Sequence, residues 1–258
     1  MITPSAVGML WAVGLMAIAI GLSSWQRLEL TQTLAIATFR TIAQLLFVGV
    51  FLSAIFASRQ PLAILAVLLV MTTIAAFVAR GRIDRDLPKL LKWVWLAIFT
   101  SGLVTILYVI TLVIQLDPWY EPSYLVPLTG IVLGNAMTAA SIAGERLVAA
   151  LRNNRIEIET HLSLGATPVQ AIATYRRAAI KAGLIPTVNS MMVVGLVKLP
   201  GIITGQILAG ADPFVAAIYQ ILIMFMLALA TLIAALVVTE GIARQFFTPA
   251  MQLVIPQR

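Results

Sequence analysis

Seven long apolar segments restrict the folds open to this chain more than any other feature of its sequence. Each supplies most of the roughly 20 residues that an α-helix needs to cross the hydrocarbon core of a bilayer. The segments are approximately residues 5–23, 33–57, 61–79, 93–115, 123–143, a sixth that begins near residue 182, and 214–238. We therefore predict an all-α, polytopic membrane protein with about seven transmembrane helices in a single domain over residues 1–258.

The composition agrees with a lipid bilayer as the surroundings of this chain. Of its 258 residues, 61% are hydrophobic and 10% are charged, whereas soluble domains are roughly half apolar and about a quarter charged. The net charge of +7 does not indicate nucleic acid as a partner, because the basic residues lie in short loops between apolar segments. The lack of cysteine excludes disulfides and thiolate metal sites, and the single histidine excludes a histidine-rich cage.

The distribution of basic residues predicts an orientation. Residues 80–92 carry five Lys or Arg and residues 144–181 carry six, whereas residues 116–122 and 201–213 carry none. Cytoplasmic loops are the ones that collect Lys and Arg. We therefore predict that the N-terminus lies outside and the C-terminus in the cytoplasm, in the inner or plasma membrane of the cell.

Residues 144–181 form the longest polar stretch, and they predict a helix, a break and a second helix. Gly165 suits the position just after a helix, and Thr167, Pro168 and Gln170 form the start of the next one, with a capping box. Such an element can lie on the inner leaflet or dock into a groove of another protein. Its polar face mixes glutamates with arginines, which favours docking. A solvated connector is the simpler alternative.

The chain contains no G-x-x-x-x-G-K-[ST] motif, so it cannot hold nucleotide phosphates by that route. The stretch "E-x-x-L-x-L-G-A-T-P", from Glu159 to Pro168, resembles the cytoplasmic loop by which permeases of ATP-binding-cassette transporters contact their ATPase. In those permeases a glutamate, a small residue and a glycine shape the helix that enters the ATPase groove. The resemblance implies a coupling element within residues 144–181, made of Glu159, Leu162, Leu164, Gly165, Ala166, Thr167 and Pro168.

Four segments in this order extend the resemblance to one family: "GNAMTAAS" (134–141), "LGATPVQA" (164–171), "GLIPTVNSMMVVGLVKLPG" (183–201) and "TGQILAGADP" (204–213). Together they resemble the FetB-type permeases, which include bacterial iron-export permeases and plant aluminium-resistance proteins. Arg40 and Gln44 fit the "R…QL" pattern of that family. The match covers most of the chain and is strongest from about residue 125 to 225.

The resemblance implies the membrane subunit of an ATP-driven exporter, without enzymatic activity or a bound cofactor of its own. ATP would be used by a separate ATPase subunit, and two copies of the permease would pair as a homodimer. The implied substrate is iron or another metal ion, with a non-metal such as a nucleotide sugar as the alternative. Thr138, Lys198 and the pair Ile202–Ile203 depart from the family pattern, which weakens the case for a bare cation.

Polar and sulfur-bearing side chains within the apolar segments are candidates for the transport path. Polar groups are costly in hydrocarbon and tend to face the protein interior. Interhelical hydrogen bonding is the alternative for the asparagines, and simple packing is the alternative for the methionines. The metal ligands stay unknown, since neutral donors suit hard cations poorly without a carboxylate. The candidates are Arg40, Gln44, Asn135, Met137, Thr138, Asn189, Met191, Met192, Pro200, Gly201, Thr204 and Gln206.

The segment "KLPGIITGQ" predicts a break in the sixth span. Pro200 removes a backbone donor, and Gly201 relaxes the backbone beside it. Transporters use the carbonyls exposed by broken spans at substrate sites, while a packed kink is the alternative. Arg40 lies inside the second span, where it would snorkel to the interface, pair within the bundle or meet an anion.

Two other classes of function remain as alternatives. A gradient-driven carrier or channel would ordinarily use membrane carboxylates as ion relays, and none lies at mid-membrane depth in the predicted spans. An intramembrane enzyme would need a motif such as H-E-x-x-H, a pair of aspartates or a serine with a histidine partner at that depth. The sequence offers none of these.

Overall fold

The computed structural model describes residues 5–58, 60–87 and 89–254. Over these residues the chain is all-α, as predicted, and forms ten α-helices with no extended strand. A π-helical segment, Val109–Val113, continues the fourth helix. The helices are α1 (Ala6–Trp25), α2 (Thr31–Ser58), α3 (Pro61–Ile83), α4 (Leu90–Tyr108), α5 (Pro122–Asn153), α6 (Arg155–Ser163), α7 (Pro168–Ala171), α8 (Ala173–Val193), α9 (Gly201–Leu208) and α10 (Pro213–Phe246).

Six of the helices in the described part of the chain are long and apolar enough to span a membrane. They correspond to α1, α2, α3, α4 with its π-helical extension, α5 and α10, so six of the predicted spans are continuous helices. The chain is therefore a multi-pass membrane protein. The remaining predicted span, which begins near residue 182, consists of the end of α8, a turn and the short helix α9. The orientation of the termini stays a prediction.

The break in that span lies slightly earlier than the proline predicts. Helix α8 already ends at Val193, and residues 194–200 form a turn in which the amide of Gly195 donates to the carbonyl of Lys198 at 3.0 Å. Pro200 is the N-cap residue of α9, with an extended backbone (φ −62°, ψ 152°). The proline therefore begins a new helix and does not kink an existing one.

The chain divides into two compact units, residues 1–59 and residues 60–258. In the first unit, Ser5 caps α1 by accepting a hydrogen bond from the amide of Gly8 at 3.2 Å. Only 6% of the apolar window of α1 is buried, and none of the window of α2. Most of the apolar side chains of this unit are thus exposed, as suits helices that meet lipid. The prediction of one functional domain over residues 1–258 stays a prediction.

The second unit has α5 and α10 at its centre, with half of the apolar window of each buried. Helices α3, α4 and α8 pack around them. Many of the buried contacts use alanine, because small side chains let helix backbones approach closely in a membrane. These alanines include Ala76 and Ala79 on α3, Ala97 on α4, Ala136, Ala140 and Ala143 on α5, Ala179 on α8, and Ala234 and Ala235 on α10.

Gly183 marks the closest approach of α8 to α5. A Cβ atom added there would lie 2.8 Å from the carbonyl oxygen of Ala139 and 3.0 Å from the Cβ of Ala143. A backbone oxygen cannot move aside as the end of a flexible side chain can. The contact between these two helices therefore depends on the absence of a side chain at position 183.

We predict that Gly183→Ala destabilises the second unit, by about 1–3 kcal/mol for overpacking of this size. Thermal unfolding of the purified protein in detergent measures the effect as a lower Tm. Gly134→Ala on α5 is the matched control, because a Cβ there meets nothing within 4 Å. An equal loss of Tm in both variants would show that α8 does not pack on α5 as described.

Candidate coupling surface and substrate path

The elbow, defined here as residues 155–171, consists of α6, a tight turn and α7. Gly165 has φ +91°, a left-handed conformation that costs glycine little. The amides of Gly165 and Ala166 donate to the carbonyls of Leu162 and His161, both at 3.0 Å. These bonds terminate α6 in the way that a glycine after a helix allows.

The start of α7 is capped as the sequence predicts. The amide of Gln170 donates to Thr167 Oγ1 at 3.3 Å, and Gln170 Oε1 accepts from the amide of Thr167 at 2.9 Å. Pro168 is the first residue of this helix, where its missing N–H costs nothing. The capping box is thus confirmed, and it supplies partners for the backbone amides of Thr167 and Gln170.

The elbow has one anchored face and one exposed apolar face. Ile158 is fully buried, and Leu162 packs partly against the core of the second unit. By contrast, Ile156 and Leu164 are 81% and 80% exposed, and Val169 is 67% exposed. Apolar side chains that are this exposed beside a capped turn are suited to contact with another molecule. We call Ile156, Leu164 and Val169 the apolar surface of the elbow.

Charged side chains on α6 pair with each other or with α8. Glu159 Oε1 accepts from Arg155 Nε at 2.7 Å, one helical turn away. The carboxylate of Glu157 lies near the hydroxyl of Tyr175 on α8. Burial of the hydroxyl is the main reason why the pKa of Tyr175 is raised from 10.0 to about 12, and hydrogen bonding to Glu157 and the charge of that carboxylate add to the shift. The Tyr175 hydroxyl is therefore protonated at physiological pH.

A cluster of three charges joins the start of α8, which follows the elbow, to the end of α10. Glu240 accepts from Arg176 Nη1 at 3.1 Å and from Arg244 Nε at 2.8 Å. Arg176 also donates through Nε to Thr239 Oγ1 at 3.3 Å and through Nη2 to the carbonyl of Leu236 at 3.4 Å. Because Arg176 lies in the first turn of α8, this cluster connects the helix that follows the elbow to α10.

A cleft of about 400 Å³ lies between this cluster and the elbow. Its apolar lining includes Pro168, Val169 and Ile172 from the elbow side and Phe247 after α10. Arg176, Glu240 and Arg244 also line it. The cleft thus continues the apolar surface of the elbow toward a charged border.

The candidate path residues on α5 satisfy their polar groups within their own helix. Asn135 Nδ2 donates to the carbonyl of Ile131 at 2.9 Å, and Thr138 Oγ1 donates to the carbonyl of Gly134 at 3.0 Å. Both side chains are half-buried, and Met137 packs against the core. Their role in transport stays a prediction.

The candidates near the break lie in different surroundings. Asn189, Met192, Gly201 and Thr204 are exposed, and Thr204 donates to the carbonyl of Pro200 at 3.2 Å. Gln206 is half-buried, and its Oε1 has no hydrogen-bond partner among the described residues. Arg40 and Gln44 are exposed on α2, in the first unit. These residues also stay candidates for the path.

A cavity of about 410 Å³ lies where the end of α8, the turn and α9 meet α10. We call it the break cavity. It brings together Met191 and Pro200, two of the predicted path residues, with Gln220 and Met224 of α10. Sequence reasoning missed Gln220, although a strongly polar amide inside an apolar span is itself a signal of function.

The sequence of this chain matches a known protein family. A model described as "Uncharacterised protein family (UPF0014)" matches residues 6–247. The chain belongs to the UPF0014 family. The UPF0014 membrane protein slr1647 of Synechocystis is 53% identical over 245 residues, which are 95% of each chain.

Two further relatives carry more specific names. "Probable iron export permease protein FetB" of Escherichia coli is 33% identical over 246 residues, 95% of this chain and 93% of the relative. "Protein ALUMINUM SENSITIVE 3" of Arabidopsis thaliana is 31% identical over 253 residues, 98% and 89% of the two chains. The predicted resemblance to FetB-type permeases is thus confirmed. No solved structure matches the chain.

The described residues contain no cluster of the side chains that usually bind metal ions in proteins. Among the described residues, no three His, Asp or Glu side chains gather into a group that could hold a metal ion. The ligands of any transported metal therefore stay unknown, as they were after the sequence analysis.

We predict that the phenolate of Tyr175 forms only near pH 12. The charged form is disfavoured in the folded state, so this residue stabilises the fold fully below pH 10, and the contribution is lost between pH 10 and about 12. The absorbance of phenolate at 295 nm, measured as the difference between the protein and Tyr175→Phe, follows the titration. Glu157→Gln removes the hydrogen-bonded charge and is expected to lower the midpoint. A midpoint near 10 in the unaltered protein would contradict the contact.

Proposed function

We propose that this chain is the membrane-spanning subunit of an ATP-binding-cassette exporter, powered by a separate ATPase subunit. The observation that carries the proposal is the elbow, a capped turn that leaves Ile156, Leu164 and Val169 exposed beside side chains anchored in the core. The lack of a P-loop motif in the sequence means that force must come from elsewhere. The permease name of the Escherichia coli relative supports the same conclusion.

In this proposal the elbow enters a groove of the ATPase, and ATP is used there. Burial of three exposed aliphatic side chains would favour the contact by a few kcal/mol at about 1.5–3 kcal/mol for each. Two permease chains and two ATPase subunits would form the transporter. Closure of the ATPase would then push on the two elbows together, as symmetry requires.

The contacts of the elbow supply a route for this movement into the membrane. Tyr175 of α8 lies beside Glu157 of α6, and Arg176 of α8 pairs with Glu240 of α10. Helix α10 in turn packs against α4, α5, α8 and α9. A small rotation of the elbow would thus be imposed on α10 and on the helices around it, because packed helices do not deform continuously.

Iron or another metal ion is the first proposed substrate, on the basis of the name of the Escherichia coli relative. A non-metal substrate is the second, and one observation favours it: the described residues that line the break cavity include no acidic side chain. Hard divalent cations ordinarily require carboxylate ligands. A gradient-driven carrier is the alternative if ATP proves unnecessary.

Replacement of Gly165 tests the coupling directly. We predict that Gly165→Val lowers stimulation of the cognate ATPase by about tenfold, because a β-branched residue is strained in the left-handed region. Gly165→Asn is the matched control, since asparagine tolerates that conformation, and it is expected to keep most of the stimulation. ATP hydrolysis by the ATPase in proteoliposomes, with and without the permease, measures both variants. Full stimulation and ATP-dependent transport by Gly165→Val would contradict the docking account.

The apolar surface of the elbow gives a second test. We predict that the double change Leu164→Ser and Val169→Ser weakens binding of the detached ATPase subunit at least about tenfold, since two aliphatic side chains lose their burial. Both side chains are mostly exposed in the chain alone, so the fold is expected to persist. Ser163→Ala, at an exposed neighbouring position, is the control. Surface plasmon resonance measures the Kd of the ATPase subunit for the permease in nanodiscs. An unchanged Kd in the double variant would place the contact elsewhere.

A further inference from the structure

The break cavity contains a polar side chain whose hydrogen bonding is incomplete. Gln220 is 4% exposed and lines the cavity. Its Oε1 is buried, and no hydrogen-bond donor reaches it from the described part of the chain. A buried acceptor left without a donor costs free energy, and the cost is larger in hydrocarbon, where water cannot replace the partner. Oε1 itself has almost no exposed surface, so a ligand reaches it only after the terminal amide turns toward the cavity. A ligand that then donates a hydrogen bond to it would remove this cost.

The rest of the cavity is neutral and mainly apolar. Every described lining residue other than Gln220 is apolar or glycine, and the thioethers of Met191 and Met224 are among them. Lys198 is exposed and does not line the cavity. A bare divalent ion placed here would be buried without a compensating charge, which is strongly unfavourable. The lining therefore suits an uncharged ligand.

The position of the cavity connects it to the proposed transport cycle. Gln220 lies seven residues into α10, about 10 Å along the helix from Pro213 at 1.5 Å per residue. Glu240, which bonds to Arg176, lies on the same unbroken helix about 30 Å further along. Movement transmitted from the elbow to α10 thus reaches the wall of the cavity that carries Gln220.

We propose that the break cavity is a substrate site for an uncharged, mainly apolar molecule that donates an N–H or O–H hydrogen bond to Gln220 Oε1. This inference rests on the proposed function, because it is an exporter that needs such a site. A metal would occupy the cavity only inside a neutral, apolar complex that presents a donor group. The volume of about 410 Å³ is sufficient for a small organic ligand.

The test uses the full chain in lipid nanodiscs and octanol that carries a diazirine on its third carbon. After photolysis, mass spectrometry measures the labelling of the peptides that contain Met191 and Met224. Unmodified octanol, added before photolysis, is expected to reduce this labelling at a lower concentration than octane, which has no hydrogen-bond donor. We expect Gln220→Leu and the nearly isosteric Gln220→Met to lower this labelling about three- to tenfold, as for the loss of one hydrogen bond.

Gln32→Leu is the matched control, since Gln32 is an exposed glutamine on α2, and it is expected to leave the labelling unchanged. Replacement of a buried unpaired amide by an aliphatic side chain is expected to preserve the fold. Comparable thermal unfolding in the two position-220 variants checks this expectation.

Two results would overturn the proposal. Equal labelling of all lipid-facing helices, insensitive to Gln220, would mean that the cavity holds only lipid. Displacement of the label by ferrous ion but not by octanol would mean that the site takes a bare cation. Because the ATPase is absent, neither result depends on coupling. A permease that fails to stimulate its ATPase would instead contradict the proposed function and leave the binding result standing.

Discussion

Backbone hydrogen bonding without water is the constraint on which the rest of this structure depends. In hydrocarbon each peptide group must find its partner within the protein, so the apolar segments form helices. The chain leaves the helical conformation inside a predicted span at residues 194–200, between α8 and α9. That turn lies beside α10, and the break cavity and the unpaired amide of Gln220 lie there as well. The irregular backbone and the candidate substrate site thus share one location.

The charged side chains follow from the same constraint. Arg176, Glu240 and Arg244 satisfy one another near the end of α10, and Arg152 pairs with Asp84 at 2.7 Å near the ends of α5 and α3. Ion pairs of partly exposed groups add little stability. Their value here is geometric, since they hold α5 and α8 to the helices that pack beside them in the second unit. The break cavity lies near the other end of α10, at Gln220, and its lining is neutral, in contrast to this charged end.

Local sequence signals predicted local structure well. Gly165 and the Thr167–Gln170 capping box were readable because each depends on residues within one or two turns. The break of the predicted sixth span was readable from Pro200, but its start at Val193 was not, because the turn ends α8 ahead of the proline. The partners of Arg176 were also unreadable. They lie at least 60 residues away along the chain, and only packing of α8 on α10 brings them together.

By itself the sequence determined the membrane class, the helical content and the capped elbow, because hydropathy, caps and turns act over short distances. Only the tertiary structure decided which side chains share a cavity or an ion pair. Gln220 and Met191 lie on helices whose contact depends on many weak packing terms between distant segments. Gly183 illustrates the difference. Its sequence context suggests only a helix, whereas the structure places the carbonyl oxygen of Ala139 so close to it that no side chain fits.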